Sequence, residues 1–190
     1  MIKAIIFDLF GVLVTDALEA LVSELKATQP EVADQVVRTV MASNAGTIPH
    51  EASREMVAGL LGITTDEYAQ RIRGGEVRNQ ELFDYILELR KTYKTALLSN
   101  AGTKSLEVRF APGELDKYFD VIVVSAVIGY AKPEARAYEI VAEKLGVRLD
   151  ECVMIDDRED YVAGAKAVGM QGILYTAVPT LRQALKDLAI

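Results

Sequence analysis

The sequence predicts an α/β chain: a parallel sheet with helices on both faces and a helical segment inserted into it. Three observations predict this. From Asn79 onward, short apolar runs rich in β-branched residues alternate with helical patterns, the rhythm of strand–helix–strand units. One more such run, Ile2 to Phe7, stands alone at the start. Between about Asp16 and Arg73, apolar residues recur only at three- and four-residue spacing, with no strand pattern. The expected division is a core made of residues 1–14 and 79–190, with residues 15–78 as a helical insertion.

The first run is short, β-branched and aromatic, so it reads as a strand buried on both faces. Asp8 stands at its carboxyl end, and Gly11 lets the chain turn sharply after it. Four helices are expected in the insertion. Ala17–Ala27 is capped by Asp16, and a second helix runs from Pro30 towards Met41 and ends at Asn44-Ala45-Gly46. A third runs from about Pro49 to Leu61, stopped by Gly62. Thr64-Thr65-Asp66-Glu67 caps a short fourth reaching Arg71, and Gly74-Gly75 reads as a break. A helix carrying Leu82, Phe83 and Ile86 then leads into the strand Thr95–Leu98, which ends in Ser99-Asn100. Val121–Val124 is the third strand. A helix over Glu134–Leu145 precedes the strand Cys152–Ile155, which ends in Asp156-Asp157. A helix over Tyr161–Val168, a strand over Ile173–Tyr175 and a helix over Thr180–Leu188 complete the chain.

Composition narrows the function classes. A net charge of −7 argues against non-specific binding to nucleic acid or to anionic membranes. The single cysteine, Cys152, excludes an internal disulfide framework and reads as a small buried hydrophobe. No apolar stretch reaches membrane-spanning length, and Asp8 interrupts the only N-terminal run that could serve as a signal sequence, so a cytoplasmic protein is expected. The sequence leaves the oligomeric state open.

The polar interruptions of the strands carry the functional reading. Taken singly, Ser99-Asn100 is ordinary turn chemistry, Lys132 before Pro133 is a loop residue, and Asp156-Asp157 suits a helix start. In parallel strands, however, the carboxyl ends share one edge of the sheet, where such folds bind ligands. Three carboxylates, a hydroxyl and a lysine would converge there. That set suits a hard divalent cation together with an anion.

The order and spacing of these features resemble the haloacid dehalogenase superfamily over the whole chain. The motifs stand here as Asp8-Leu9-Phe10-Gly11-Val12-Leu13, Leu97-Leu98-Ser99-Asn100, Lys132-Pro133-Glu134-Ala135-Arg136 and Met154-Ile155-Asp156-Asp157. The resemblance implies a Rossmann-like core with a helical cap, most like the branch of sugar-phosphate phosphatases and the phosphatase domain of epoxide hydrolases. It also implies a Mg²⁺-dependent phosphatase acting on a small phosphorylated metabolite. Asp8 would be the nucleophile that forms an aspartyl-phosphate, with Ser99 and Lys132 clamping the phosphoryl oxygens. The Mg²⁺ ligands would be Asp8, the backbone carbonyl of Phe10, Asp157 and its neighbour Asp156. Substrate-binding residues would be Ser99, Asn100, Lys132 and Arg54. Asn44, Thr47, His50, Arg71 and Arg73 are further cap candidates; His50 reads as exposed and non-catalytic.

Two positions depart from the family pattern. Phe10 stands where a second aspartate usually serves as acid and base, and Tyr161 stands where Asp or Asn usually supports the metal; Asp160 is the neighbour that could substitute. Phe10 leaves three readings open: a phosphatase with a weakened or relocated acid, an L-2-haloacid dehalogenase, or a non-catalytic binder of a phosphorylated ligand or partner.

Overall fold

The computed structural model describes all 190 residues. Five parallel strands form one sheet: β1 (Ala4–Phe7), β2 (Lys94–Ser99), β3 (Val121–Val124), β4 (Cys152–Asp156) and β5 (Gln171–Leu174), in the order β3-β2-β1-β4-β5. β1 is central and unbroken in its apolarity because both its faces are covered. Ile5 and Phe7 join one apolar cluster, while Ala4 and Ile6 join another on the opposite side. β4 divides in the same way, with Val153 and Ile155 against Cys152 and Met154.

Helices supply both coverings. On one face lie α5 (Gln80–Leu89), through Leu82, Phe83 and Ile86, and α9 (Val178–Asp187), through Leu181 and Leu185. On the other lie α7 (Ala135–Leu145), through Tyr138 and Val141, and α8 (Glu159–Ala167), through Ala165. A short α6 (Ser125–Ile128) follows β3 directly and was not expected from the sequence. No helix is long and apolar enough to cross a membrane.

Between β1 and β2 the chain forms α1 (Ala17–Thr28), α2 (Pro30–Asn44), α3 (His50–Leu61) and α4 (Thr65–Gly75). Their apolar stripes meet in a separate cluster that includes Leu21, Leu25, Val36, Val57 and Ala58. Asp16 caps α1, and Thr64 with Glu67 forms a reciprocal capping box on α4. α4 continues to Gly75, through the pair expected to break it. The reason is packing: a Cβ on Gly75 would stand 2.9 Å from Cβ of Ala17, so glycine lets the ends of α4 and α1 close together.

The two connections to the sheet are zipped to one another. Thr15 Oγ1 donates to the Gly75 carbonyl at 2.8 Å and accepts from Val77 N–H at 2.7 Å, and Val14 pairs antiparallel with Arg78. Asn79 then reaches back through Nδ2 to the Val12 carbonyl and the Tyr175 hydroxyl. These bonds hold the four helices over the carboxyl edge of the sheet.

Candidate active site

Asp8 follows β1 directly, Ser99 ends β2, and Asp156 ends β4. The three strands are neighbours, so these side chains share one edge. Asp8 N–H donates to the Ile155 carbonyl at 3.0 Å, which carries the ladder one residue past the strand and fixes where the carboxylate begins. Lys132 enters from the loop before α7. Its ammonium is fully buried and donates to Asp8 Oδ1 and Asp156 Oδ2, each at 2.6 Å.

Asp157 completes the group. Oxygens of Asp8, Asp156 and Asp157 all lie within 4.8 Å of one another. Three carboxylates and one ammonium leave a formal excess of two negative charges in a largely buried site. Burial first, and that charge second, set the titration behaviour. Burial, reinforced by the Asp156 charge and opposed by Lys132, pushes the Asp8 carboxyl up to about 7. Burial and Asp156 likewise push Asp157 up to about 6. Burial alone would lower the Lys132 ammonium, but Asp8 and Asp156 outweigh it and hold it above its ordinary value.

Gly11 makes room for this cluster. Its φ of +78° suits glycine, and a Cβ there would overlap the Asp157 carboxylate. The Ser99 hydroxyl is buried with no hydrogen-bond partner. A buried polar atom left unpaired beside an uncompensated acidic cluster is the kind of exception that marks a ligand site.

The remaining expected residues fall into three groups. The Asn100 side chain is engaged by protein: Oδ1 accepts from Lys132 N–H at 2.8 Å, and Nδ2 donates to the Lys132 carbonyl at 2.8 Å and to the Tyr161 hydroxyl at 3.2 Å. It positions the lysine loop. Asp156 is similarly occupied, with Oδ2 on Lys132 and Oδ1 accepting from Arg158 N–H. Asp160 does not turn inward beside Tyr161; both its oxygens pair with Arg158 on the surface.

A cleft of 540 Å³ runs from Asp8 and Asp157 up between the sheet edge and α1–α4. Phe10, Asn100 and Tyr161 line it at the sheet, with Asn44, His50, Arg54 and Arg73 from the helices. Arg54 makes no ion pair within the protein. Arg71 and Thr47 are elsewhere: Arg71 pairs with Glu24, and Thr47 donates to the Ala42 carbonyl. His50 is half-buried rather than exposed. Its ring stands against Gly102, where a side chain would collide with it, and burial together with Arg54 lowers its pKa.

Sequence reasoning missed one pair. Arg109, from the loop after β2, is tied through Nε and Nη2 to both oxygens of Glu76, just past α4. Its guanidinium lies 4.9 Å from the centroid of the Phe10 ring. Both side chains are nearly buried, and the pair ties the insertion's exit to the loop beside the site.

A family model described as haloacid dehalogenase-like hydrolase matches residues 2–169. The D-ribitol-5-phosphate phosphatase of Bacteroides thetaiotaomicron is 27% identical over 187 residues, covering 90% of each chain. The phosphatase MT3486 of Mycobacterium tuberculosis is 47% identical over 55 residues, which is 29% of this chain and 25% of that protein. Among solved structures, an enzyme of the same family from Bacteroides thetaiotaomicron, in complex with magnesium and inorganic phosphate, superposes with a TM-score of 0.76 at 22% identity. It covers 94% of this chain and 96% of that one.

Proposed function

The chain belongs to the haloacid dehalogenase-like hydrolase family, and we propose that within it this protein is a Mg²⁺-dependent phosphatase of a small phosphorylated metabolite. One observation carries the reading: three converging carboxylates share a single lysine, leaving two negative charges uncompensated. That excess matches one divalent cation. The phosphatases among the relatives and the magnesium and phosphate bound by a structural neighbour support the same choice. Asp8, Asp157 and the backbone carbonyl of Phe10 would hold the ion, with Asp156 beside them. When bound, Mg²⁺ neutralises charge between carboxylate and phosphate and so supplies electrostatic stabilisation and a template.

The chain's own residues do the rest. Lys132 holds one Asp8 oxygen, which orients the other towards phosphorus, and its charge opposes the burial that favours the protonated carboxyl. Asp8 attacks, and an aspartyl-phosphate forms that water then hydrolyses; one difficult displacement becomes two easier ones. The free Ser99 hydroxyl and Lys132 are the donors for the phosphoryl oxygens. Asn100 keeps the Lys132 loop in place through two bonds to its backbone. Residues 15–78 act as the cap that covers the site and selects substrate, with Arg54 as its free cation for an anionic group. Residues 1–14 and 79–190 are the catalytic core. The acidic charge and the single thiol, Cys152, fit a cytoplasmic setting.

Phe10 favours one other reading, an L-2-haloacid dehalogenase, because an aromatic residue there cannot protonate a leaving alkoxide. The Asp157 cluster argues against it, since a metal-free enzyme gains nothing from a second and third carboxylate at the site. The test is a panel of acyl, aryl and alkyl phosphates with and without Mg²⁺, alongside halide release from 2-haloacids. Mg²⁺-dependent phosphate release supports the phosphatase; halide release without metal overturns it.

A further inference from the structure

Resting on the phosphatase reading, we propose that the cleft accepts an apolar aromatic leaving group, so that the preferred substrates are aryl phosphates and not phosphorylated polyols. Two independent features lead there, the walls of the cleft and the absence of a free proton donor beside Asp8.

The walls come first. Leu18 and Val22 of α1, Val37 and Val40 of α2, and Ile72 of α4 all line the cleft. Each also packs on the apolar cluster of the four helices, so one side of the residue is buried and the other faces the cavity. The volume, 540 Å³, lies in the range of sites for small organic ligands and leaves space for a body well beyond the phosphate. A polyol hydroxyl set against these branched side chains, away from Asn44, Arg54 and Arg73, would lose its hydrogen bonds to water without replacement, at about 1–3 kcal/mol each. An aromatic ring gains roughly 25 cal/mol per Å² of apolar surface removed from water. The half-buried Phe10 ring adds an aromatic partner at the sheet end of the same cleft.

The second feature is chemical. Beside Asp8 the chain offers Phe10, which has no proton to give, and Asp157 is assigned to the metal. Glu76 is held by Arg109 through both oxygens. Asp16 accepts from Glu19 N–H as the cap of α1. The His50 ring is packed against Gly102, and burial and Arg54 lower its pKa. Two of the Lys132 N–H groups serve Asp8 and Asp156, and the third is assigned to the phosphoryl oxygens. The leaving oxygen must therefore depart as an anion. A phenol, with a pKa of about 10, does so readily. An alkanol does not, being closer to water at about 15.7. Acyl phosphates meet this second condition but have no body for the apolar walls.

The reaction balances without a protein acid. An Asp8 oxygen bonds to phosphorus, and the bond from phosphorus to the aryl oxygen breaks with its electron pair on the phenolate, which takes a proton from water. A water oxygen then attacks phosphorus, the bond to Asp8 breaks, and inorganic phosphate and a proton are released with the Asp8 carboxylate restored.

The experiment measures kcat/KM with Mg²⁺ for substituted phenyl phosphates, naphthyl phosphate, acetyl phosphate, and glycerol and ribitol phosphates. Wild type should favour aryl over polyol phosphates by about 10²-fold or more, with rates rising steeply as the phenol becomes more acidic. Val40→Asn and, separately, Ile72→Asn should each lower the ratio of naphthyl to acetyl phosphate kcat/KM roughly tenfold, mainly through KM, as expected for about 1.4 kcal/mol of lost apolar contact. Polyol phosphates hydrolysed as fast as aryl phosphates would overturn the aryl assignment, as would a ratio unmoved in both variants, while acetyl phosphate turnover left the phosphatase reading standing. Inertness towards acetyl phosphate and every ester would overturn that reading itself. The wild-type panel decides the question even if a variant fails to fold.

Discussion

Mg²⁺ binding should expel about one proton at pH 6.5, and the reason lies in the crowding of Asp8, Asp156 and Asp157 around one lysine. Before metal binds, the Asp8 carboxyl lies at about 7 and Asp157 at about 6. At pH 6.5 those positions leave the two carboxyls sharing on the order of one proton that a cation must displace. At pH 8 about a tenth of a proton remains. Affinity should therefore climb on the order of 10²-fold between pH 5.5 and 8, most steeply below pH 7. Calorimetry in two buffers of different ionisation enthalpy reads the proton count directly. Stability follows the same linkage. Both carboxyls are raised on folding, so their stabilising contribution is complete below the unfolded value near 3.9 and is lost as pH rises through about 6 to 7. With a chelator present, the site should cost the fold stability across that window, and Mg²⁺ should restore it. Equal calorimetric heats in both buffers, with an affinity flat from pH 5.5 to 8, would refute the assignment of the metal to these carboxylates.

Other consequences can be checked separately. Gly11→Ala should cost about 1–2 kcal/mol from its positive φ and displace Asp157, so thermal melts and Mg²⁺ titration should show both a lower Tm and weakened binding. Unchanged Mg²⁺ affinity in that variant would mean that Asp157 is not a ligand. Lys132→Met should abolish turnover and destabilise the protein by about 3–5 kcal/mol in urea unfolding near neutral pH, because two buried carboxylates lose their only cation. Phe10→Asp should raise alkyl-phosphate turnover, but by less than the roughly 10²–10⁴-fold of a well-placed acid, because Arg109 beside it favours the ionised carboxylate. Its gain should be largest at the acidic end of the pH–rate profile, and a profile identical to wild type would show that position 10 lies outside the reaction path.

The sheet and the edge that carries the site were readable in the sequence because both follow from short-range patterns. A strand buried on two faces must be apolar throughout, so the first polar residue after Phe7, Leu98 and Ile155 marks where each strand meets the ligand edge. The helix starts at Asp16 and Thr64 were readable for a similar reason, since a cap acts within three residues. Long-range pairings left no such trace. Nothing periodic links Glu76 to Arg109, 33 positions apart, and loop charges of that kind usually belong to solvent. The half-burial of His50 depends on Gly102 across the cleft, and α4 outlasts its glycine pair only because Ala17 closes on it. Asn100 looked like turn chemistry, and its two bonds to the Lys132 backbone depend on a loop 32 residues away.

Rapid acid quench during acetyl phosphate turnover, followed by peptide mass spectrometry, tests most directly whether Asp8 is the nucleophile. A phosphoryl group should appear on the peptide carrying Asp8, form only with Mg²⁺ present, vanish on chase, and be missing in Asp8→Asn, which should also lose all turnover. Phosphate released at full rate with no adduct on Asp8, or by Asp8→Asn itself, would contradict the account.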